Sequence, residues 1–134
     1  MKGKILVEIR KDLEDLLLNF NLKTSVNLII TDKEKIIYYI GESEKCVDYL
    51  YAEISENLKS IVSNYKDVKF FNADETLPIL NGDKEVYVNQ ALCNIAKDDS
   101  YTKCIIFYKV DKEFTSDEVF MINSTIYLVK KYFN

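Results

Sequence analysis

Three cysteines, Cys46, Cys93 and Cys104, are the strongest nucleophiles in this 134-residue chain, and their spacing does not prepare them to react. None forms a Cys-x-x-Cys pair, and the odd count without metal spacing fits a reducing compartment. The chain has no histidine, which removes the commonest general base, the Ser-His and Cys-His nucleophile pairs and the commonest transition-metal ligand. Gly82 stands alone, so there is no glycine-rich phosphate loop. The acidic groups (Asp12, Glu14 and Asp15; Glu42 and Glu44; Asp98 and Asp99; Asp117 and Glu118) all fall on expected helix surfaces, turns or helix starts, where carboxylates are ordinarily solvated. No enzymatic chemistry, cofactor or metal is expected from these residues.

Composition narrows the class further. The apolar fraction of 48% and charged fraction of 30%, with only 3 Gly and 1 Pro, describe one globular domain spanning residues 1–134. A net charge of −4 argues against direct nucleic-acid binding, which needs clustered cations. Lys2 and Lys4 precede only the short apolar run Ile5-Leu6-Val7, too brief for a signal peptide or a membrane span. The expectation is a cytoplasmic protein with no membrane contact.

The elements that must position these side chains follow from periodicity. Leu6, Ile9, Leu13, Leu16 and Phe20 recur every three or four residues and predict a helix over about 4–20, stopping near Asn19 and Asn21. Residues 26–31 and 35–40 read as a hairpin around Asp32-Lys33-Glu34, with Gly41 ending the second strand. Both runs are nearly continuous in apolar residues, which predicts cover on both faces. Val47, Leu50, Ile54, Leu58, Ile61 and Tyr65 predict either one long helix over 44–65 or two short ones, with Ser55 a possible N-cap at the break. A short apolar run at 68–71 and a turn-rich stretch at 72–83 follow. Residues 85–97 and 101–110 read as a second strand pair. A two-residue turn at Asp98-Asp99 would set Cys93 opposite Cys104, while a three-residue loop is equally compatible. Thr115-Ser116-Asp117-Glu118 fits a capping box that opens a last helix.

That last helix has more apolar surface than one sheet needs. Val119, Ile122, Ile126, Val129 and Phe133 form one stripe, and Met121, Thr125, Leu128 and Tyr132 form a second beside it. The end helices either pack only on each other and the sheet or also meet a symmetry mate in a homodimer. Candidates for that contact are Leu6, Leu13, Leu17, Met121, Leu128 and Tyr132. The chain also carries 10 Tyr and no Trp, and Tyr38, Tyr39, Tyr87, Tyr101 and Tyr108 fall in expected strands. There they either pack the core or wall a small-molecule site. Cys93 and Cys104 read as small buried hydrophobes, with a thiol switch as the lesser option.

The run from Val26 through the Asp32 turn to Tyr38 resembles the first hairpin of GAF and PAS sensory domains. The segments Asp48-Tyr49-Leu50, Ile54-Ser55-Glu56-Asn57-Leu58, Lys103 to Tyr108 and Thr115 to Glu118 extend the likeness, in order, to the C-terminal GAF-like domain of the stage V sporulation protein T family. That resemblance implies an α+β fold: a GAF/PAS-like antiparallel sheet with the N- and C-terminal helices on one face and a helix-loop segment on the other. It implies a regulatory domain that senses an unidentified small molecule, assembles through its end helices and is linked to transcriptional control of sporulation. The family's N-terminal DNA-binding hairpin domain has no counterpart ahead of the first helix, which leaves a stand-alone module or one piece of a larger regulator. The implied pocket lies under a roof at 68–82, with Phe70, Phe71, Leu77 and Ile79 above and Tyr39, Tyr87 and Asn89 as walls. A roadblock or profilin-like dimerisation scaffold shares the same alternation of elements. A thiol-dependent reductase, similar to GAF-type free methionine sulfoxide reductases and using Cys93 and Cys104, is the remote alternative.

Overall fold

The computed structural model describes residues 11–41, 49–82, 87–96 and 103–132. The order is α1 (Lys11–Thr24), β1 (Asn27–Thr31), β2 (Ile36–Ile40), α2 (Glu56–Lys59), β3 (Lys69–Phe71), β4 (Asn89–Asn94), β5 (Cys104–Lys109) and α3 (Ser116–Tyr132). The five strands form one sheet in the order β2-β1-β5-β4-β3, and every neighbouring pair is antiparallel. Among the described residues no helix is long and apolar enough to cross a membrane.

The sheet separates two apolar layers. On one face α1 and α3 cover Leu28, Ile30, Tyr38, Ala91, Cys93, Ile105 and Phe107. On the other, the segment 49–82 covers Ile29, Ile36, Leu92, Cys104, Ile106 and Tyr108. Alternation along each strand produces this split, so the continuous apolar runs of β1, β2 and β5 are buried on both sides, as the sequence predicts for β1 and β2. β2 carries a bulge: Ile30 pairs with Tyr38 and Thr31 with Ile36, leaving Ile37 extra. The bulge puts Ile37 and Tyr38 side by side on the helix face.

The helix ends follow local chemistry. The expected start of the first helix near Lys4 lies outside the described residues. Its end comes at Thr24 rather than near Asn19–Asn21, because Asn21 and Thr24 serve as capping groups. Ser25 adopts a left-handed φ of 63° and its amide donates to the Asn21 carbonyl at 2.8 Å. Thr24 Oγ1 donates to the Phe20 carbonyl and accepts the Val26 amide, and Asn21 Nδ2 donates to the Val26 carbonyl. At α3 the capping box forms in both directions. The Glu118 amide donates to Thr115 Oγ1 at 3.1 Å, and the Thr115 amide donates to Glu118 Oε1 at 2.9 Å.

The middle of the chain departs from its helical spacing. Residues 49–54 are not helical, and α2 has only four residues, with Ser55 as its N-cap. The free edge of β2 captures this segment. The Ile36 amide donates to Ala52, the Tyr51 amide to Ile36 and the Ile54 amide to Glu34, all at 2.8–2.9 Å. Those strand-like bonds replace the helical ones that spacing alone predicts. Tyr51 takes a positive φ of 65° at the corner, and Val47 lies outside the described residues. Beyond Ser55 the expected face survives, since Leu58, Ile61 and Tyr65 all pack into the second layer.

Candidate functional site

The second layer is built from a loop, and side chains pin it at a few points. Gln90, on the sheet, clasps the roof with both ends of its amide. The Leu77 amide donates to Gln90 Oε1 at 2.8 Å, and Gln90 Nε2 donates to the Leu77 carbonyl at 2.7 Å. Ser55 Oγ donates to the Pro78 carbonyl at 2.6 Å and accepts the Leu58 amide at 3.1 Å, so one hydroxyl caps α2 and anchors the roof. The Ser55 amide donates to Ile79, an isolated bridge joins Ile54 to Leu80, and the Glu56 amide donates to Asn81 Oδ1. Thr76 Oγ1 donates to the Tyr87 carbonyl at 3.0 Å.

Beneath this roof aromatic rings meet in pairs, some from the sheet and some from the covering segment. Tyr87 meets Tyr108 edge-on at 5.2 Å, Tyr39 meets Tyr49 at 5.5 Å and Tyr65 meets Phe71 at 6.2 Å. Five of the seven expected ligand residues, Tyr39, Phe71, Leu77, Ile79 and Tyr87, belong to this layer. Phe70 and Asn89 do not. Neighbouring strand residues point to opposite faces, so Phe70 turns to the helix side and packs on Phe114 at 6.3 Å. Asn89 is a structural linchpin on that same side: Oδ1 accepts the Phe114 amide at 2.7 Å and Nδ2 donates to the Phe71 carbonyl at 3.3 Å.

One polar atom in the second layer stands out. Thr31 is fully buried, and its Oγ1 has no hydrogen-bond partner. Its cross-strand neighbours are Ile36 on β2 and Cys104 on β5, both floor residues. An unmet buried hydroxyl costs about 1–3 kcal/mol, so such groups are rare without a purpose. Sequence reading missed Thr31 and Gln90. Their signal is alternation: each shares strand parity with the apolar floor residue two positions away, Ile29 and Leu92 respectively.

The helix face has a polar node of its own that sequence reading also missed. Lys109 Nζ lies 3.0 and 3.2 Å from the two carboxylate oxygens of Glu118, and the lysine is 4% exposed. Glu118 thus serves Lys109 and the Thr115 cap together. Tyr38, under α1, has a buried hydroxyl that the Glu14 carboxylate approaches without closing a well-formed hydrogen bond. Burial raises the pKa of its phenol, and the Glu14 carboxylate adds to this through space.

The cysteines do not form a reactive pair. Cys93 pairs with Ile105 and Asn94 with Cys104, one residue away from the register of a two-residue turn. That step places Cys93 on the helix face and Cys104 on the other, so the sheet separates the two thiols. Both are buried and free, and burial raises both pKa values. For Cys93 it prevails over the opposing pull of the Lys130 ammonium. This geometry does not bring Cys93 and Cys104 together as the thiol pair that the sequence reading allowed. Among the described residues no group of three His, Cys, Asp or Glu side chains is placed to hold a metal ion.

Of the expected dimer residues, Leu13 and Leu17 sit in the chain's own core, covered by the sheet and α3, and have no surface to offer a partner. Leu6 lies outside the described residues. Met121 and Tyr132 are half-buried, and Leu128 is exposed. No protein-family model matches the chain, and no curated protein matches it.

Proposed function

We propose that the chain is a sensory module of GAF-like plan whose second layer holds a small, largely apolar ligand against the sheet. The single observation that carries this reading is the Thr31 hydroxyl, a hydrogen-bonding group with no protein partner inside an apolar, aromatic-lined layer. Small-molecule sites pair apolar walls with a few polar groups that fix orientation. Further support comes from the cover over that layer. Its last part, residues 72–82, is irregular backbone clasped by the Gln90 amide and the Ser55 hydroxyl. The link to transcriptional control rests on the resemblance of the β1–β2 hairpin and the segments after it.

A thermal-shift screen of amino acids, nucleotides and metabolites tests the proposal. A cognate ligand at a hundredfold excess over its dissociation constant stabilises the chain by about 2.7 kcal/mol. The Thr31→Val variant loses that response while gaining about 1 kcal/mol in the ligand-free state, because the unmet hydroxyl is gone. A second reading, a scaffold without ligand, is favoured by the complete burial of Ile54, Leu58 and Ile79, which already fill part of the layer. It predicts the same gain for Thr31→Val and no stabilising compound for the parent chain. That pair of results overturns the sensory reading.

A further inference from the structure

Among the described residues, the outer face of α3 is used neither by the fold nor by the proposed sensing layer. Phe120 is 71% exposed, Tyr127 64% and Leu128 41%, with Met121 half-buried beside them. At about 100° per residue, Asp117, Phe120, Ser124, Tyr127 and Lys131 fall along one line of the helix, with Met121 and Leu128 flanking it. Three large apolar side chains, Phe120, Tyr127 and Leu128, thus stand open to water on one side of a single helix, the kind of patch that marks interaction sites.

The order of residues along this strip is symmetric about Ser124. Asp117 lies seven residues before it and Lys131 seven after. Phe120 lies four before and Leu128 four after, and Met121 and Tyr127 lie three to either side. A helix with this pattern complements itself when a second copy runs antiparallel to it. Each acidic end then meets a basic end, Phe120 meets Leu128, and Met121 meets Tyr127. The small, exposed Ser124 lies at the crossing, where it lets two backbones approach to the 8–10 Å typical of packed helices. The Lys131 ammonium sits 4.6 Å from the centre of its own Tyr127 ring, and in the dimer it would turn from that ring to the partner's acidic end.

We propose that a second copy of this chain covers this face, its α3 antiparallel to the first across a twofold axis at Ser124. The occupant is another copy because the charge order matches its own reverse, and a protein of net charge −4 needs such local complementarity to self-associate. The proposal goes beyond the sensory reading and stands if that reading fails, since α3 and the second layer lie on opposite faces of the sheet.

The test uses the full chain. Sedimentation equilibrium at about 0.1 mM is expected to give twice the 15.7 kDa protomer mass. In a Cys46→Ser background, Ser124→Cys is expected to form an intersubunit disulfide on mild oxidation. Phe120→Cys, whose mate lies roughly 12 Å along the axis at 1.5 Å per residue, is expected not to. Asp117→Lys and Lys131→Asp are each expected to weaken the dimer about tenfold or more, and the double reversal to restore it. Circular dichroism melts establish that each variant folds. A monomeric parent chain, cross-linking that favours position 120 over 124, or a double reversal no better than the singles would each overturn the proposal.

Discussion

Lys109 on β5 and Glu118 on α3 form an ion pair shut away from water, with 4% and 11% of their side chains exposed. Glu118 also closes the capping box, so one carboxylate ties the last strand to the first turn of the last helix. Gln at position 118 keeps a cap acceptor but removes the charge, leaving the Lys109 ammonium buried and uncompensated. Glu118→Gln is therefore expected to cost about 3–5 kcal/mol in urea denaturation, whereas Thr115→Ala costs about 1 kcal/mol. Equal losses would show that the charge pair adds nothing to the cap.

Alkaline pH is expected to destabilise the chain in a defined window. The Cys93 and Cys104 thiols and the Tyr38 phenol have folded pKa values above their ordinary values of 9.0 and 10.0. Above about pH 9 the unfolded chain releases these protons while the folded chain keeps them. Stability is therefore complete below that point and falls as pH rises. Tyr38→Phe removes one of the three groups and a buried hydroxyl that lacks a well-formed hydrogen bond. It is expected to change stability by no more than about 1 kcal/mol at neutral pH and to flatten the alkaline limb. Denaturant midpoints measured from pH 7 to 11 check both effects, and an unchanged limb would exclude Tyr38 as a contributor.

The Gln90 clasp is expected to govern how readily the roof opens. Gln90→Ala removes two hydrogen bonds of about 1 kcal/mol each and leaves the Leu77 amide and carbonyl unpaired. Hydrogen exchange of the roof amides around Leu77 should then accelerate about tenfold or more, while the β1 and β5 amides keep their protection. Uniform acceleration across the sheet would mean that the roof does not open as a separate unit.

Oxidation should leave the two strand thiols unlinked. The intact chain treated with a disulfide-forming oxidant is expected to show no Cys93–Cys104 cross-link by mass spectrometry, because the sheet lies between them. Detection of that link in the folded protein would contradict the register of β4 and β5.

How much of this was legible depended on whether a local rule or a distant partner decided the outcome. The capping box at Thr115 and Glu118 is local chemistry, and it forms as written. The β1–β2 turn is likewise local: Asp32 Oδ1 accepts the Glu34 and Lys35 amides at 2.8 and 2.7 Å. The β4–β5 register was not legible, because its connection has no Gly or Pro to select a turn, and a shift of one residue reverses every side chain. Placing Phe70 and Phe71 together in the roof overlooks the strand alternation that sends them to opposite layers. The helical spacing through Ile54 gave way to the unpaired edge of β2, a partner nearly twenty residues away in the chain. Thr31 and Gln90 gain importance only once their faces are known: alternation puts each in line with an apolar residue two positions away, but both strands are apolar on both faces, so parity alone does not say which layer they enter.

The capture of residues 51–54 along β2 also bears on solubility. A bare strand margin invites foreign chains to stack onto it and extend the sheet without limit. Here the chain guards one margin with its own backbone at Ile36. The opposite margin is only the three residues of β3, and it bears the Lys69 cation. Growth of fibrils by strand addition is thereby discouraged at both ends, and association is steered to surfaces where assembly can stop at a finite number of copies.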